Sequence, residues 1–373
     1  MKSEALLWVL NCGSSSIKYA LFDATDPPPR AAAWRGTVEL DAQSSHEALK
    51  QIRVQVNERL GGRRIAAVGH RVVHGGSKYS QPTRVDAEVL EDLKRYIPLA
   101  PLHQPFALEA IEVLLAEQPE LPQVACFDTA FHRSLPRVEQ LLPLPHAYAE
   151  RGLRRYGFHG LSYAYMAIAL AERHGALARG RTIVAHLGSG ASLCAMQDLK
   201  SVATTMGFSA LDGLMMGTRC GALDPGALLY LTEIEKLSPQ QIGHLLYHES
   251  GLLGVSGVSS DPRVLLERER SDERARDALA LYVHRIVREI GALVATLGGL
   301  GLLVFTAGIG ENNVEIRRRV CERLGYLGLT LDEAANASHA PLISAAGSAV
   351  AGGGVPTNEE WIVAGQAMAC LRG

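Results

Sequence analysis

Apolar and polar positions along the chain sort into short strands, amphipathic helices and tight polar turns, and one strand-turn-strand unit occurs twice. In the first, an apolar run from Leu6 to Leu10 meets the turn Asn11-Cys12-Gly13-Ser14-Ser15-Ser16, after which Ile17, Tyr19 and Leu21 alternate with Lys18, Ala20 and Phe22. That pattern predicts strand, turn and strand. The second lies at Thr182 to Asp198, TIVAHLGSGASLCAMQD, and superposing the strands by eye aligns Gly188-Ser189 with Gly13-Ser14. Elsewhere the periodicity predicts helices over His46 to Leu60, Asp86 to Tyr96, Pro105 to Glu117, Tyr163 to His174, about Arg274 to Thr296 and about Val314 to Leu324. Buried strands are predicted from Ile65, over Gln123 to Phe127 and over Leu300 to Phe305, and a last helix follows Pro356-Thr357-Asn358-Glu359-Glu360.

The first hairpin turn carries three hydroxyls, an amide side chain, a glycine that permits close backbone approach, and Lys18 just beyond, a set that suits a phosphate chain. A P-loop would open a helix; here the chain returns to a strand. An ordinary serine-rich turn is the alternative. Two such hairpins about a domain's length apart predict a duplicated domain holding a nucleotide between its halves.

Composition narrows the field. The 373 residues give room for two domains of about 100–200 residues each. A net charge of -2 offers no basic excess, so neither nucleic acid nor a membrane surface is an expected partner. The start has too short an apolar run for a signal peptide, and no stretch reaches the roughly 18 apolar residues of a span, so a cytoplasmic protein is expected. Six scattered cysteines without CxxC spacing fit reduced thiols better than a disulfide framework or a zinc site.

Candidate chemistry gathers at strand ends and glycine-rich loops. Arg71 ends the Ile65 strand and can clamp a carboxylate or phosphate, or simply be solvated there. Asp128 directly follows a strand, where α/β proteins gather ligands and where turns and caps also use aspartate. His159 lies in RRYGFHG, with Ser162 a plausible N-cap, beside a helix N-terminus that favours an anionic phosphoryl group. Arg219, in the loop MGTRCGALDPG, reads either as an arginine finger supplied in cis or as a tie for its own loop. Gly308-Ile309-Gly310-Glu311-Asn312 is a further glycine loop after a strand. Thr357-x-x-Glu360 reads as a capping box, which leaves Glu359 as the better candidate for Mg²⁺.

In the order NCGSSSIK, HRVVHGG, APLHQP, CFDTAFH, RRYGFHG, AHLGSGAS, MGTRCGALDPG, FTAGIGEN and PTNEE, these stretches make the chain resemble the acetate kinase family over nearly its whole length. The resemblance implies an α/β fold of two ribonuclease-H-like domains, as in sugar kinases, actin and heat-shock chaperone ATPases, with an interdomain active-site cleft. It implies an N-terminal domain of residues 1–132 plus 361–373, and a C-terminal nucleotide-binding and dimerisation domain of residues 133–360. The implied activity is reversible transfer of the ATP γ-phosphoryl to acetate or another short-chain carboxylate, giving an acyl phosphate and ADP, with Mg²⁺ (or Mn²⁺), in a homodimer.

By the same resemblance Asn11 and Glu359 serve the metal, and Ser14, Ser16 and Lys18 the phosphates. Arg71 and Arg219 serve the substrate carboxylate and transferring phosphoryl, Asp128 is the catalytic acidic position, and His159 stabilises the transition state. His186, Leu187, Gly188, Ser189, Gly190, Asp261, Pro262, Arg263, Gly308, Ile309, Gly310, Glu311 and Asn312 line the nucleotide, while Val73, Leu102 and Phe158 form the acyl pocket. A carboxylate is already ionised at pH 7 and needs no general base, so Asp128 is expected to orient the metal or its waters.

The chain departs from the family pattern at Ser189 and Gln104, where Asn is usual, at Ala222 and Asp212, where an acidic residue and Glu are usual, and at Ala210, where proline is usual. With Ala210 in place of a proline ring, tolerance of propionate is expected. A propionate-preferring or pyrophosphate-dependent enzyme, an actin- or chaperone-like ATPase, and a catalytically reduced regulatory paralogue are the alternatives.

Overall fold

The computed structural model describes residues 4–13, 16–40, 45–101 and 103–372. The chain forms two compact units: one runs to Arg133 and adds Phe158–Tyr165 and the chain from Asn358, and the other comprises Ser134–Gly157 and Met166–Thr357.

The first unit is built on a six-stranded sheet of β1 (Ala5–Cys12), β2 (Ser16–Asp23), β3 (Trp34–Glu39), β4 (Arg64–Val72), β5 (Thr83–Arg84) and β6 (Gln123–Phe127), in the order β3-β2-β1-β4-β6-β5. The β1-β2-β3 meander is antiparallel, while β1, β4 and β6 run parallel. Parallel strands need helical crossovers on both faces, which is why β1 and β6 read as nearly unbroken apolar runs. On one face Leu6, Trp8, Leu10, Ile17 and Leu21 pack against Ile52 and Val56 of the Ser45–Arg59 helix and Leu114 of the Gln104–Glu117 helix. Each such side chain contributes about 1.5–3 kcal/mol on burial. The Glu359–Cys370 helix packs on β1, β4 and β6. It comes so close that a Cβ on Gly69 would lie 2.8 Å from Val363 Cγ1.

The second unit repeats the plan. Its strands β7 (Thr182–Leu187), β8 (Ala191–Gln197), β9 (Lys200–Thr204), β10 (Leu302–Thr306) and β11 (Ala351–Gly354) form a sheet in the order β11-β10-β7-β8-β9. Again the first three strands are an antiparallel meander, and β7, β10 and β11 run parallel. The repeated hairpin is therefore the first two strands of a repeated sheet.

Several boundaries differ from the sequence reading. The mixed charge of Glu267 to Arg276 reads as a solvated helix face, but the run is divided between two helices: the Pro262–Arg268 helix ends first, and Asp272 caps a new Glu273–Leu297 helix by accepting from the Arg274 and Ala275 amides. That helix buries Leu279, Val283, Ile286 and Ile290, at spacings of three and four. Residues 307–312 form the short Ala307–Asn312 helix in place of an open glycine loop. The Gly160–His174 helix starts before Ser162, which lies buried in its first turn and is not its cap.

Candidate active site

In the first unit the site is assembled at the carboxyl ends of three adjacent parallel strands. Asn11 lies at the end of β1, Arg71 near the end of β4, and Asp128 directly after β6, where its amide donates to the Val72 carbonyl at 3.1 Å. Sheet order alone brings them side by side, at the edge where α/β sheets collect ligands. Arg71 Nη1 donates to Asn11 Oδ1 at 3.1 Å and Nη2 donates to Asp128 Oδ2 at 2.5 Å, while Nε stands 3.8 Å from Glu359 Oε2. Only two of the five guanidinium N–H groups are used in these hydrogen bonds.

Glu359 opens the Glu359–Cys370 helix. The cap is Asn358, whose side chain accepts from the Trp361 amide at 3.3 Å and donates to the Arg30 carbonyl at 2.9 Å. The capping box expected of Thr357 and Glu360 is not formed, because Arg35 draws Glu360 into an ion pair at 3.1 Å. Burial raises the Glu359 carboxyl from 4.5 to about 7, with Arg71 opposing, Asp128 and Glu360 adding to the rise and Lys18 opposing. Burial also works against the Arg71 charge, but Asp128 and Glu359 outweigh it and its pKa is raised.

Two buried atoms of this cluster, Asp128 Oδ1 and Arg71 Nε, have no hydrogen-bond partner among the described residues. Buried polar atoms are rarely left so, and a bound ion, water or catalytic role accounts for many that are. An amide oxygen and two carboxylates suit a hard cation. Among the described residues no group of three or more His, Cys, Asp and Glu is placed to hold a metal.

Lys18 pairs across the hairpin with Asn11 and is exposed, and the Gly13 amide donates to the Ser16 carbonyl at 2.9 Å to close the turn. Ser14 and Leu102 lie outside the described residues. Val73 and Phe158 are buried, and the Phe158 ring meets His74 edge-on at 5.8 Å. His159 is half-buried with φ +57°, and the next residue must be glycine: a Cβ on Gly160 would lie 2.0 Å from the Asp128 carbonyl oxygen, to which the Gly160 amide donates at 2.9 Å. The backbone beside His159 is thus pinned to Asp128.

The neighbouring arginines are structural and belong to the second unit. Arg155 donates to the carbonyls of Thr204, Thr205 and Met206, and Arg154 to Gln140. In the same unit Arg219 donates to the Ala210 carbonyl at 3.1 Å, and its loop is anchored on the Gly251–Ser256 helix.

A cavity of about 490 Å³ in the second unit is lined by Gly188 and Ser189 of the β7–β8 turn, by Asp261, Pro262 and Arg263, and by Gly308, Ile309 and Asn312. Ser260 and Asn313 complete the lining; sequence reasoning missed both, although each adjoins a motif it had marked. Of the remaining expected nucleotide residues, Leu187 is fully buried in the sheet and His186 nearly so, and Gly190 closes the turn by accepting from the Gly188 amide. Gly310 is buried, and the Glu311 carboxylate is engaged internally, accepting from the Ala307 amide at 2.8 Å and the Thr357 amide at 3.0 Å. Asp261 caps its helix and pairs with Arg263, which lowers its pKa.

The raised Glu359 carboxyl has a measurable consequence. Between about pH 4.5 and 7 the folded protein holds a proton there that the unfolded chain has lost, so this group makes stability fall as pH rises. His70, pushed down from 6.5 to about 4 by burial and bonded to Gln123, has the opposite slope over much of that range. Glu359→Gln removes only the first effect. In urea unfolding without nucleotide or metal, the variant's stability relative to the parent is expected to climb from pH 5 to 7; a flat difference would contradict the buried carboxyl.

A family model described as the Acetokinase family matches residues 30–365. The acetate kinase of Rhodopseudomonas palustris (strain ATCC BAA-98 / CGA009) is 49% identical, over 97% of this chain and 97% of its own length. Among solved structures, the Porphyromonas gingivalis acetate kinase is 35% identical with a TM-score of 0.85, over 98% of this chain and 100% of that one. A propionate kinase from Francisella tularensis subsp. tularensis SCHU S4 is 34% identical with a TM-score of 0.88, over 97% and 98%.

Proposed function

The chain belongs to the acetokinase family and shares its two-domain α/β fold, and from that membership we propose that it transfers the ATP γ-phosphoryl reversibly to acetate, giving acetyl phosphate and ADP. The observation that carries this reading is the Arg71 guanidinium held between Asn11, Asp128 and Glu359 at the strand ends, with N–H groups left over for an anion. Acetate arrives ionised, so the task is to bring two anions together in line, which positioned cations and donors accomplish.

Arg71 fixes the carboxylate, and Val73 and Phe158 receive its methyl group. Arg219, carried by the second unit, balances charge on the phosphoryl as it moves, and His159 donates to it. The second unit's cavity takes the nucleotide, with Gly188 and Gly308 allowing close backbone approach. Asn11, Asp128 and Glu359 are the residues that would hold Mg²⁺, which when bound neutralises charge on the donor's phosphates. Asp128 removes no proton: Oδ2 faces Arg71, and the nucleophile has none to give.

Further proposals follow from the same membership. Leu223 and, on the Pro225–Glu233 helix and just beyond it, Leu229, Tyr230 and Ile234 are exposed, a face suited to a second copy in a homodimer. Among the described residues no helix is long and apolar enough to cross a membrane, and we place the enzyme in the cytoplasm.

Hydroxylamine trapping of acyl phosphate tests the reading, run with Mg²⁺, with ATP or pyrophosphate, and with acetate or propionate. Product is expected with ATP and not with pyrophosphate, and absence of product with every pair would overturn the proposal. With Ala210 where the family pattern has proline, propionate is expected within about tenfold of acetate in kcat/KM, since one methylene is worth about 1–3 kcal/mol. A preference for acetate beyond a hundredfold would count against the wider pocket.

A further inference from the structure

Both backbone polar groups of His74 are held by one side chain. Gln104, fully buried at the start of the Gln104–Glu117 helix, accepts from the His74 amide through Oε1 at 3.0 Å and donates through Nε2 to the His74 carbonyl at 2.9 Å. A primary amide offers a donor and an acceptor on separate atoms without charge, which lets it pair with backbone as a neighbouring strand would. The rest of the loop is closely packed. The Gly76 amide donates to His74 Nδ1 at 2.8 Å, a Cβ on Gly75 would lie 2.0 Å from the Tyr79 carbonyl oxygen, and one on Gly76 would lie 2.2 Å from the Tyr96 ring. His74 in turn meets the Phe158 ring, and Val73 precedes it in the chain.

The length of side chain 104 therefore fixes how far the Val73–His74 wall stands from the helix. We infer that Gln104 is a positioning residue that sets the depth of the pocket for the acid's alkyl end, and through it the enzyme's preference for acid chain length. The inference rests on the proposal that Val73 and Phe158 receive that alkyl group. Gln104 touches neither substrate nor phosphoryl; it acts through the backbone of His74.

Two variants test it, assayed by acyl phosphate formation with ATP and acetate, propionate or butyrate. Gln104→Asn keeps the amide on a stem shorter by one carbon, about 1.5 Å. It is expected to change the propionate-to-acetate ratio of kcat/KM by about fivefold or more, leaving KM for ATP within about twofold, an effect inside the range of one methylene in an apolar pocket. Gln104→Met keeps the volume but makes neither bond, and KM for acetate is expected to rise about tenfold, the scale of one unmade buried hydrogen bond. An unchanged acid profile in Gln104→Asn would overturn the inference, as would equal losses for every acid and for ATP. Should Gln104→Met not fold, the Gln104→Asn ratio decides alone. If the parent enzyme makes acyl phosphate from no acid, the functional proposal fails and this role of Gln104 with it; an active parent whose acid profile Gln104→Asn leaves unchanged overturns the role alone.

Discussion

Arg71→Ala is expected to lower kcat/KM for acetate about 10²- to 10³-fold, the scale of losing one preorganised donor to developing charge. The guanidinium bonds Asn11 and Asp128 with separate nitrogens and presents Nε toward Glu359. Removing it takes away the acid's clamp and also leaves the buried Asp128 and half-buried Glu359 carboxylates, whose charges oppose each other, with little to balance them. Their cheapest response is to bind a proton, and Glu359, already raised to about 7, is the group positioned to take it. Activity in Arg71→Ala is therefore expected to fall further below pH 7 than in the parent. Arg71→Lys should recover less than about tenfold, because a single ammonium cannot span a forked set of contacts. Steady-state hydroxamate assays with acetate varied at saturating ATP measure this, and a loss under tenfold in Arg71→Ala would remove Arg71 from the proposed clamp.

Arg219→Ala is expected to lower kcat about 10³-fold, the lower end for an arginine finger, with KM for both substrates changed only a few-fold. The expectation rests on how rigidly its loop is held. Carbonyls of Met216, Gly217 and Thr218 accept from the amides of Leu252, Leu253 and Ser250, each at 2.9 Å. These are the otherwise unsatisfied first amides of the Gly251–Ser256 helix. Gly251, at φ +63°, has no room for a Cβ, which would lie 2.2 Å from the Met216 carbonyl oxygen and 2.8 Å from that of Arg219. A guanidinium on such a carrier needs no reorganisation when phosphoryl charge develops. Free guanidine added to Arg219→Ala should restore part of kcat. If alanine instead raises both KM values with kcat intact, Arg219 only ties down its loop through Ala210.

The central strands of each sheet were legible because their runs are too apolar to be anything but buried, and β6 falls on the predicted residues, Gln123–Phe127, whereas the outer strands Trp34–Glu39, Thr83–Arg84, Lys200–Thr204 and Ala351–Gly354 carry no such signal. What the sequence could not give was partnership across long separations. Arg71 and Asp128 each read as a lone strand-end residue; only the adjacency of β4 and β6 makes them a pair. Glu360 looked like half of a capping box because Arg35, 325 positions away, is invisible to local reasoning. Arg155, which the sequence shows only as part of RRYGFHG, serves three consecutive carbonyls whose convergence no spacing rule announces. The start of the Gly160–His174 helix was misplaced for a related reason: Gly160 is there to pass under the Asp128 carbonyl, a steric fact, and Ser162 merely imitates a cap. Gln104 was noticed only as a departure from a pattern, with no hint that it binds backbone on both sides.

The last helix of the first unit, Glu359–Cys370, lies under β1, β4 and β6, although the ribosome makes it after the whole of the second unit. The strands that carry Asn11, Arg71 and Asp128 emerge first and must wait, one face of their sheet uncovered, while some two hundred further residues are polymerised. Since domains fold as units during synthesis, at about 5–20 residues per second, the wait is on the order of ten seconds or more. The later-made half can thus close its core before the earlier-made half, which carries the site's acidic cluster, receives its last helix.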